Sequence, residues 1–200
     1  MTKQSSTLRI HACVLAAGLS SRFGATKLVH SVRGRPLLQH ALEAAQEVCP
    51  GQVTLVVGHD AEAVRMAAGG LNNSIATNER YEDGIGSSIA AGIRASRNSA
   101  DAVLVLLADQ PLVTGEHLAS LIATWSGSEN DIVATSFDDV ICPPILFPKG
   151  VFSALCALNG DLGAREILTS NEFDLKTVEF SAAQHDVDTP EDLHKIDQDS

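Results

Sequence analysis

Two features of the sequence predict an α/β fold built on a mostly parallel sheet. Short apolar runs rich in β-branched residues alternate along the chain with segments of helical hydrophobic periodicity. The runs are nearly continuous in their hydrophobicity, which is typical of strands that helices cover on both faces. Because ligands of such sheets bind at the carboxyl ends of the strands, the residues after each run are the first candidates for a functional site.

The predicted strands and helices follow from these two patterns. Pro36 suits the first position of a helix, because the N–H that proline lacks would find no partner there. Residues 37–45 then repeat apolar side chains at helical spacing, so this helix presents one apolar stripe to the sheet. Strands are predicted at 10–16, 53–57, 102–108, 131–136, 145–147 and 177–180, and helices at 36–48, 61–68, 87–96, 115–125, 151–158, 164–168 and 190–196.

Length and composition indicate one globular domain. The chain has 200 residues, of which 44% are hydrophobic, and no repeat or linker divides it. The longest apolar runs are far shorter than the roughly 20 residues that a membrane-spanning helix needs, and the polar start has no signal-peptide pattern. We expect a cytoplasmic protein with no membrane partner, a single domain over residues 1–200, and disordered tails at residues 1–7 and 197–200.

The charges are distributed unevenly. A net charge of −11 argues against nucleic acid as a partner, since phosphate backbones are bound chiefly by lysine and arginine. Residues 1–42 nevertheless contain six cations and no acid. A local positive field of this kind attracts a small polyanion even in an acidic protein.

The four cysteines and seven histidines are scattered along the chain. They form no C-x-x-C pair and no histidine pair at the i, i+4 spacing of a helical metal site. This favours buried free thiols over a zinc or redox site.

A small-residue loop follows the first predicted strand and is typical of a phosphate cradle. It contains Gly18, Gly24 and the cations Arg22 and Lys27. Glycines let backbone N–H groups approach phosphate oxygens, and the cations neutralise the remaining charge. Five residues separate the glycines and Lys27 comes three residues later, which excludes a P-loop, and the loop lacks the G-x-G-x-x-G of a dinucleotide site. An ordinary strand-to-helix turn with surface cations is the alternative.

Residues 15–27 resemble the signature L-A-A-G-x-S-x-R-x-G-x-x-K of nucleotidyltransferases, which move an NMP from an NTP to a phosphate. In that family the loop wraps the triphosphate. The resemblance implies catalytic roles for Arg22 and Lys27 and nucleotide binding by Leu15, Ala16, Ala17, Gly18 and Lys27.

A carboxylate, Asp109, ends the apolar run at 102–108 and is followed by Pro111. A charge at the end of a buried strand is costly unless it is paired, and a divalent cation would pair it, although a turn cap is the simpler alternative. The segment also resembles the L-A-D-Q-P-L signature of the cofactor-cytidylyltransferase branch. That resemblance implies that Asp109 is catalytic and holds Mg²⁺ between the NTP phosphates.

Three further segments resemble elements of the same branch. Residues 78–88 match N-x-x-x-x-x-G-x-x-x-S, which implies base and ribose contacts by Asn78, Gly84 and Ser88, unless Ser87 or Ser88 only caps a helix. Residues 160–165 match G-D-x-G-A-R, which implies substrate binding by Asp161 and Arg165, with an exposed turn and a surface arginine as the alternative.

Residues 186–193 match the third element, D-x-D-T-P-E-D-L. The match implies that Asp188 approaches the metal. Helix capping accounts for residues 189–192 without any catalytic role.

Together these motifs span residues 10–193 in the expected order, and the chain resembles the molybdenum cofactor cytidylyltransferases. The resemblance implies a three-layer Rossmann-like nucleotidyltransferase fold and transfer of CMP from CTP to the terminal phosphate of the molybdopterin cofactor, with release of pyrophosphate. A molybdenum hydroxylase would receive the product. Ala17 favours CTP, because guanylyl-transferring members carry a second glycine at its position, whereas Cys142-Pro143-Pro144 departs from the usual Gly-x-Pro on the acceptor side.

Alternative functions remain open on the residues alone. The chain is compatible with a nucleotidyltransferase for another phosphate acceptor or for GTP, and with a non-catalytic molybdenum cofactor carrier. A carrier would not need Arg22, Lys27 and Asp109 together. No flavin or nicotinamide motif supports an oxidoreductase.

Overall fold

A computed structural model describes residues 8–19, 23, 26–71, 73–161, 163–170, 172–184, 186–187 and 189–198. In these residues the strands are β1 (Ile10–Ala16), β2 (Ser31–Val32), β3 (Arg35–Pro36), β4 (Val53–Val57), β5 (Ser74–Thr77), β6 (Ala102–Leu107), β7 (Asp131–Phe137), β8 (Val140–Pro148) and β9 (Asp174–Glu179). The α-helices are α1 (Leu37–Val48), α2 (Ala61–Ala68), α3 (Ile85–Ser96), α4 (Gly115–Thr124), α5 (Phe152–Cys156), α6 (Arg165–Thr169) and α7 (Pro190–Gln198). Short 3₁₀ turns cover Lys27–Val29, Tyr81–Asp83, Lys149–Val151 and Ser181–Gln184.

One central sheet contains seven strands in the order β5-β4-β1-β6-β8-β7-β9, and β2 pairs with β3 in a separate hairpin. The paired strands of the central sheet are parallel, except that β8 is antiparallel to both β6 and β7. The strands β1, β4 and β6 therefore end at one edge of the sheet, and β8 begins there. This edge carries the loops that form the site described below.

Helices cover both faces of the sheet. Alternate residues of β1 enter different cores, with Val14 packing on the side of α1, α2, α4 and α7 and Cys13 on the side of α3, α5 and α6. All five residues of β4 are buried, as expected for a strand in the middle of a three-layer fold. The predicted α/β class with a mostly parallel sheet is confirmed.

Several elements differ from their predictions. β5 was missed because it is a four-residue edge strand whose side chains are largely exposed, so it has no apolar run. β8 is longer than the predicted 145–147, and its first residues were missed because Pro143 and Pro144 interrupt the hydrophobic pattern. The register between β7 and β8 shifts between Ala134 and Thr135. α7 continues through Gln198, so residues 197–198 are helical rather than disordered. Residues 1–7 and 199–200 lie outside the described residues.

Among the described residues, the structure contains no helix of the length and apolar character that crossing a membrane requires.

A buried histidine ties α4 to β7 and to the middle of β8. Thr135 donates its hydroxyl hydrogen to the Pro144 carbonyl at 2.8 Å, so it accepts from Nε2 of His117 at 2.7 Å. The imidazole also stacks on Phe180, with ring centroids 4.2 Å apart. Burial lowers the pKa of His117 from 6.5 to about 4.

We expect this histidine to make the protein less stable in mild acid. Between pH 6.5 and 4 the unfolded chain gains a proton at His117 that the folded chain excludes, so the free energy of unfolding falls as the pH falls, by up to roughly 3 kcal/mol. Urea unfolding of His117→Gln should therefore depend less steeply on pH in this window. The same change at the exposed His30 is the control, and equal slopes for both variants would contradict the assignment.

Candidate active site

The glycine loop, the end of β6 and the start of α3 enclose a pocket of about 450 Å³ at the carboxyl edge of the sheet. The pocket brings together most of the residues that the sequence singled out, which are Leu15, Ala16, Ala17, Gly18, Lys27, Gly84, Ser88, Asp109 and Asp161. Residues 20–22, 24–25 and 188 lie outside the described residues, so Arg22 and Asp188 remain predictions.

Lys27 and Asp109 form an ion pair inside the pocket. Nζ of Lys27 lies 2.7 Å from Oδ2 of Asp109, and the two side chains are 12% and 21% exposed. The same Nζ donates to the carbonyl of Val187 at 2.7 Å. Val187 in turn donates its N–H to the Asp109 carbonyl at 3.0 Å. These contacts join the glycine loop, the end of β6 and the segment that precedes Asp188.

The second oxygen of Asp109 is suited to a cation. Oδ1 is buried and has no hydrogen-bond partner in the described part of the chain. A buried carboxylate oxygen without a partner is unfavourable, and a divalent cation would satisfy it. No group of three or more metal-binding side chains occurs among the described residues. Mg²⁺ often takes one or two carboxylates and completes its shell with substrate phosphates and water, and Asp109 can supply one such carboxylate.

Asn78 lies behind the pocket rather than on its surface. It is 5% exposed and donates from Nδ2 to Ser87 Oγ at 2.8 Å and to Ser88 Oγ at 3.0 Å. Its Oδ1 accepts the N–H of Arg80 at 3.0 Å. Asn78 therefore orients Ser88, which lines the pocket, and fixes the turn before α3.

The first turn of α3 faces the pocket. Gly84 is the N-cap, which excludes the alternative that Ser87 or Ser88 only caps this helix, and Ser87 donates to the Gly84 carbonyl at 2.7 Å from within the helix. Gly84, Ile85 and Ser88 line the cavity. Backbone N–H groups at a helix N-terminus attract anions, which suits phosphate oxygens here.

Gly84 packs directly against the turn at Gly160 and Asp161. It has a φ of +92°, and a Cβ on it would lie 2.6 Å from the carbonyl carbon of Gly160. The N–H of Gly86 donates to the Gly160 carbonyl at 3.0 Å. This contact explains how Asp161 reaches the same pocket as Lys27 and Asp109 from a distant part of the sequence.

Arg165 lies in a second pocket of about 600 Å³. The two pockets share Leu15, Ile85 and Leu107, so they are adjacent. The side chain of Arg165 makes no hydrogen bond or ion pair with any residue that the structure describes. Apart from Arg165, Asp139, Thr169 and the thiol of Cys142, the walls are apolar or glycine. The structure therefore separates Arg165 from Asp161, which the motif had grouped together.

The cysteines are free thiols as predicted, but only Cys13 and Cys49 are buried, whereas Cys142 and Cys156 are half-buried. Burial raises the pKa of Cys13 to about 12 and that of Cys49 and Cys142 to about 11. These three thiols are therefore protonated at neutral pH and are poor nucleophiles.

Several lining residues were not predicted, and they include Tyr81 and Glu82 from the 3₁₀ turn before α3. Tyr81 packs beside Ala17 at Gly58, where a Cβ would lie 2.7 Å from Cβ of Tyr81 and 2.8 Å from Cβ of Ala17. The sequence offered one signal for Tyr81, because it is the only tyrosine of the chain and Gly58 directly follows a predicted strand. Other unpredicted lining residues are Leu19, Leu28, Ile85 and Leu107.

Comparisons with known proteins agree with this geometry. Residues 12–177 match the model of the MobA-like NTP transferase domain. The chain is 31% identical over 194 residues to the purine catabolism protein PucB of Bacillus subtilis. The aligned residues cover 91% of this chain and 93% of PucB. It is also 36% identical over 116 residues to the bifunctional protein GlmU of Pelobacter propionicus, over 57% of this chain but only 25% of GlmU.

Among solved structures, Rv0371c of Mycobacterium tuberculosis superposes with a TM-score of 0.85 at 27% identity, over 96% of this chain and 99% of that one. Rv0371c was also solved in complex with manganese, and that structure has a TM-score of 0.79 at 24% identity over 96% of this chain and 100% of that one. The matched domain model covers most of the sheet and the pocket at its carboxyl edge. The chain is therefore a nucleotidyltransferase and belongs to the MobA-like NTP transferase family.

Proposed function

We propose that the protein transfers CMP from CTP to the terminal phosphate of the molybdopterin cofactor and releases pyrophosphate. The observation that carries the proposal is the Lys27–Asp109 pair, with one buried carboxylate oxygen left without a partner among the described residues, in a pocket that adjoins a second one. The first pocket would take the nucleotide and the second the acceptor. The product would pass to a molybdenum hydroxylase in the cytoplasm.

The proposed reaction needs positioning and charge neutralisation more than a protein nucleophile. An ionised oxygen of the acceptor's terminal phosphate attacks the α-phosphorus of CTP, and the bond to pyrophosphate breaks. Because that oxygen is already ionised, no general base is required. Lys27, Arg22 and the loop N–H groups would hold the leaving pyrophosphate. Asp109, with Asp188 as a second candidate ligand, would hold Mg²⁺, which supplies further neutralisation of phosphate charge when bound.

Crowding beside the glycine loop supports CTP over GTP. Ala17 lines the pocket and packs against Gly58, where an added Cβ would lie only 2.8 Å from Cβ of Ala17. Tyr81 packs against the same glycine and also lines the cavity. A pyrimidine ring is smaller than a purine ring, so a methyl group at this point disfavours the larger base.

The second pocket supports an acceptor that combines an apolar body with an anionic group. Its largely apolar walls suit a flat heterocycle, and Arg165 offers a guanidinium to a phosphate. We expect Arg165→Ala to raise the KM for molybdopterin at least about tenfold and to leave the KM for CTP within about twofold, because a charge-assisted hydrogen bond contributes roughly 1.5–3 kcal/mol. Steady-state kinetics with each substrate varied separately measure both values.

The control for Arg165 is Arg97→Ala, on the surface after α3. It should leave both KM values unchanged. Equal KM values for molybdopterin in Arg165→Ala and the parent protein would remove Arg165 from the acceptor site.

Ligand-induced stabilisation tests the nucleotide assignment. A ligand at 100 times its Kd adds about 2.7 kcal/mol to the free energy of unfolding. Thermal unfolding should therefore shift upward with CTP and Mg²⁺ and shift less with GTP and Mg²⁺ at the same concentration. Equal shifts for the two nucleotides would contradict the cytidylyl assignment.

A further inference from the structure

The two oxygens of the Asp109 carboxylate have opposite surroundings. Oδ2 lies 2.7 Å from the Lys27 ammonium, whereas Oδ1 is buried and has no partner among the described residues. The chain therefore neutralises the carboxylate on one side and leaves the other side for a ligand.

Lys27 is held at this carboxylate by a second contact. Its ammonium also donates to the Val187 carbonyl at 2.7 Å, and its side chain is only 12% exposed. Val187 is itself bound to the backbone of Asp109 through a 3.0 Å hydrogen bond. Two anchors make the position of the ammonium a built feature of the pocket rather than one chance pairing of surface charges.

This placement sets the charge balance that an incoming cation meets. A divalent cation at Asp109 would share one carboxylate with the ammonium of Lys27, and like charges repel more strongly in a partly buried site than in water. A triphosphate reverses the balance, because its oxygens attract both the cation and the ammonium. The same lysine therefore opposes the metal alone and favours the metal that arrives with a triphosphate.

We propose that Lys27 restricts metal binding at Asp109 to the triphosphate-bound state of the protein. The inference rests on the proposed function for the roles of Asp109 and the glycine loop, but it does not depend on the identity of the base or the acceptor. Metal and nucleotide then bind with positive coupling, and by linkage each raises the affinity for the other by the same factor. A site with this property stays free of metal until a substrate is present.

The test is Mn²⁺ binding followed by the electron paramagnetic resonance signal of the free ion. Titrations are made with the parent protein and with Lys27→Met, each without nucleotide and with a saturating non-hydrolysable CTP analogue. Without nucleotide, Lys27→Met should bind Mn²⁺ about tenfold more tightly than the parent. The analogue should then strengthen Mn²⁺ binding to the variant by a factor about tenfold smaller than in the parent. Mn²⁺ binding to Lys27→Met that is no tighter than to the parent would overturn the proposal.

Three controls separate charge from structural damage. Lys27→Arg keeps the positive charge and should behave as the parent, so tight metal binding by this variant would also overturn the proposal. Lys149→Met removes an exposed lysine at the opposite edge of the sheet and should change neither titration. Asp109→Asn should abolish the tight Mn²⁺ binding that the analogue induces in the parent, measured beyond what the analogue binds without protein, and tight binding that survives it would place the metal elsewhere.

The titrations distinguish this proposal from the assignment of CTP and molybdopterin. The Mn²⁺ titrations without nucleotide contain no base and no acceptor, so their outcome does not depend on which substrates the enzyme uses. If a GTP analogue coupled to Mn²⁺ and the CTP analogue did not, the cytidylyl assignment would fail while the role of Lys27 would stand.

Discussion

Asp109→Asn is expected to lower kcat for nucleotidyl transfer by about a thousandfold at saturating Mg²⁺, because metal and preorganised charge at such a site contribute several kcal/mol to the transition state. The substitution keeps the size of the side chain but removes the charge that Lys27 and a cation share. The backbone contact between Val187 and residue 109 does not involve the side chain, so the segment before Asp188 should stay in place. Pyrophosphate release measured under saturating substrates gives the loss directly.

The matched control for Asp109 is Asp101→Asn, which lies just before the other end of the same strand. Asp101 pairs with Arg9 at 3.3 Å on the surface, and Arg9 lowers the pKa of its carboxyl. Losing this pair should cost at most about 1 kcal/mol of stability and leave kcat unchanged. If Asp109→Asn retained near-normal turnover with saturating Mg²⁺, the metal role of Asp109 would be wrong.

The second large effect is expected for Gly84→Ala. Gly84 has a φ of +92°, which L side chains rarely adopt, and its Cβ would press against the backbone of Gly160 at 2.6 Å. Backbone strain and overpacking together should lower the free energy of unfolding by about 3 kcal/mol. For a chain of this length that corresponds to a fall of roughly 10 °C in Tm. Nucleotide affinity should fall as well, because the same turn sets the first residues of α3.

Gly70→Ala is the control for this prediction. A Cβ at Gly70 would meet no atom within 4 Å, and its φ lies outside the left-handed range. Thermal unfolding of the two variants by circular dichroism separates a general effect of alanine from the specific contact. Equal Tm values for Gly84→Ala and the parent would show that this turn can relax without cost.

The central strands were predictable because burial on both faces leaves a mark in the sequence. Residues 10–16 and 53–57 are apolar except for His11 and Thr54, and the structure gives both strands the predicted bounds. The edge strand β5 was not predictable, because its exposed side chains need no apolar pattern. The start of β8 was missed for a different reason, since prolines are uncommon in strands and Pro143 and Pro144 break its hydrophobic pattern.

The candidate site was also predictable from the sequence only in part. Motifs located Lys27, Asp109 and Gly84, because each follows or precedes a recognisable element at the edge of the sheet. They did not predict that Lys27 would bind Asp109, since that pairing joins residues far apart in the sequence and depends on the tertiary fold. Local sequence also did not separate Arg165 from Asp161, which enter different pockets from one short segment.

Product analysis after one incubation is the most direct test of whether the protein transfers CMP from CTP to molybdopterin. The protein is mixed with molybdopterin, Mg²⁺ and equal concentrations of CTP and GTP, and the products are identified by mass spectrometry together with the pyrophosphate released. We expect a molybdopterin–CMP adduct in equimolar amount with pyrophosphate, and the loss of this adduct in Asp109→Asn. A GMP adduct in its place, or tight molybdopterin binding without any pyrophosphate, would contradict it.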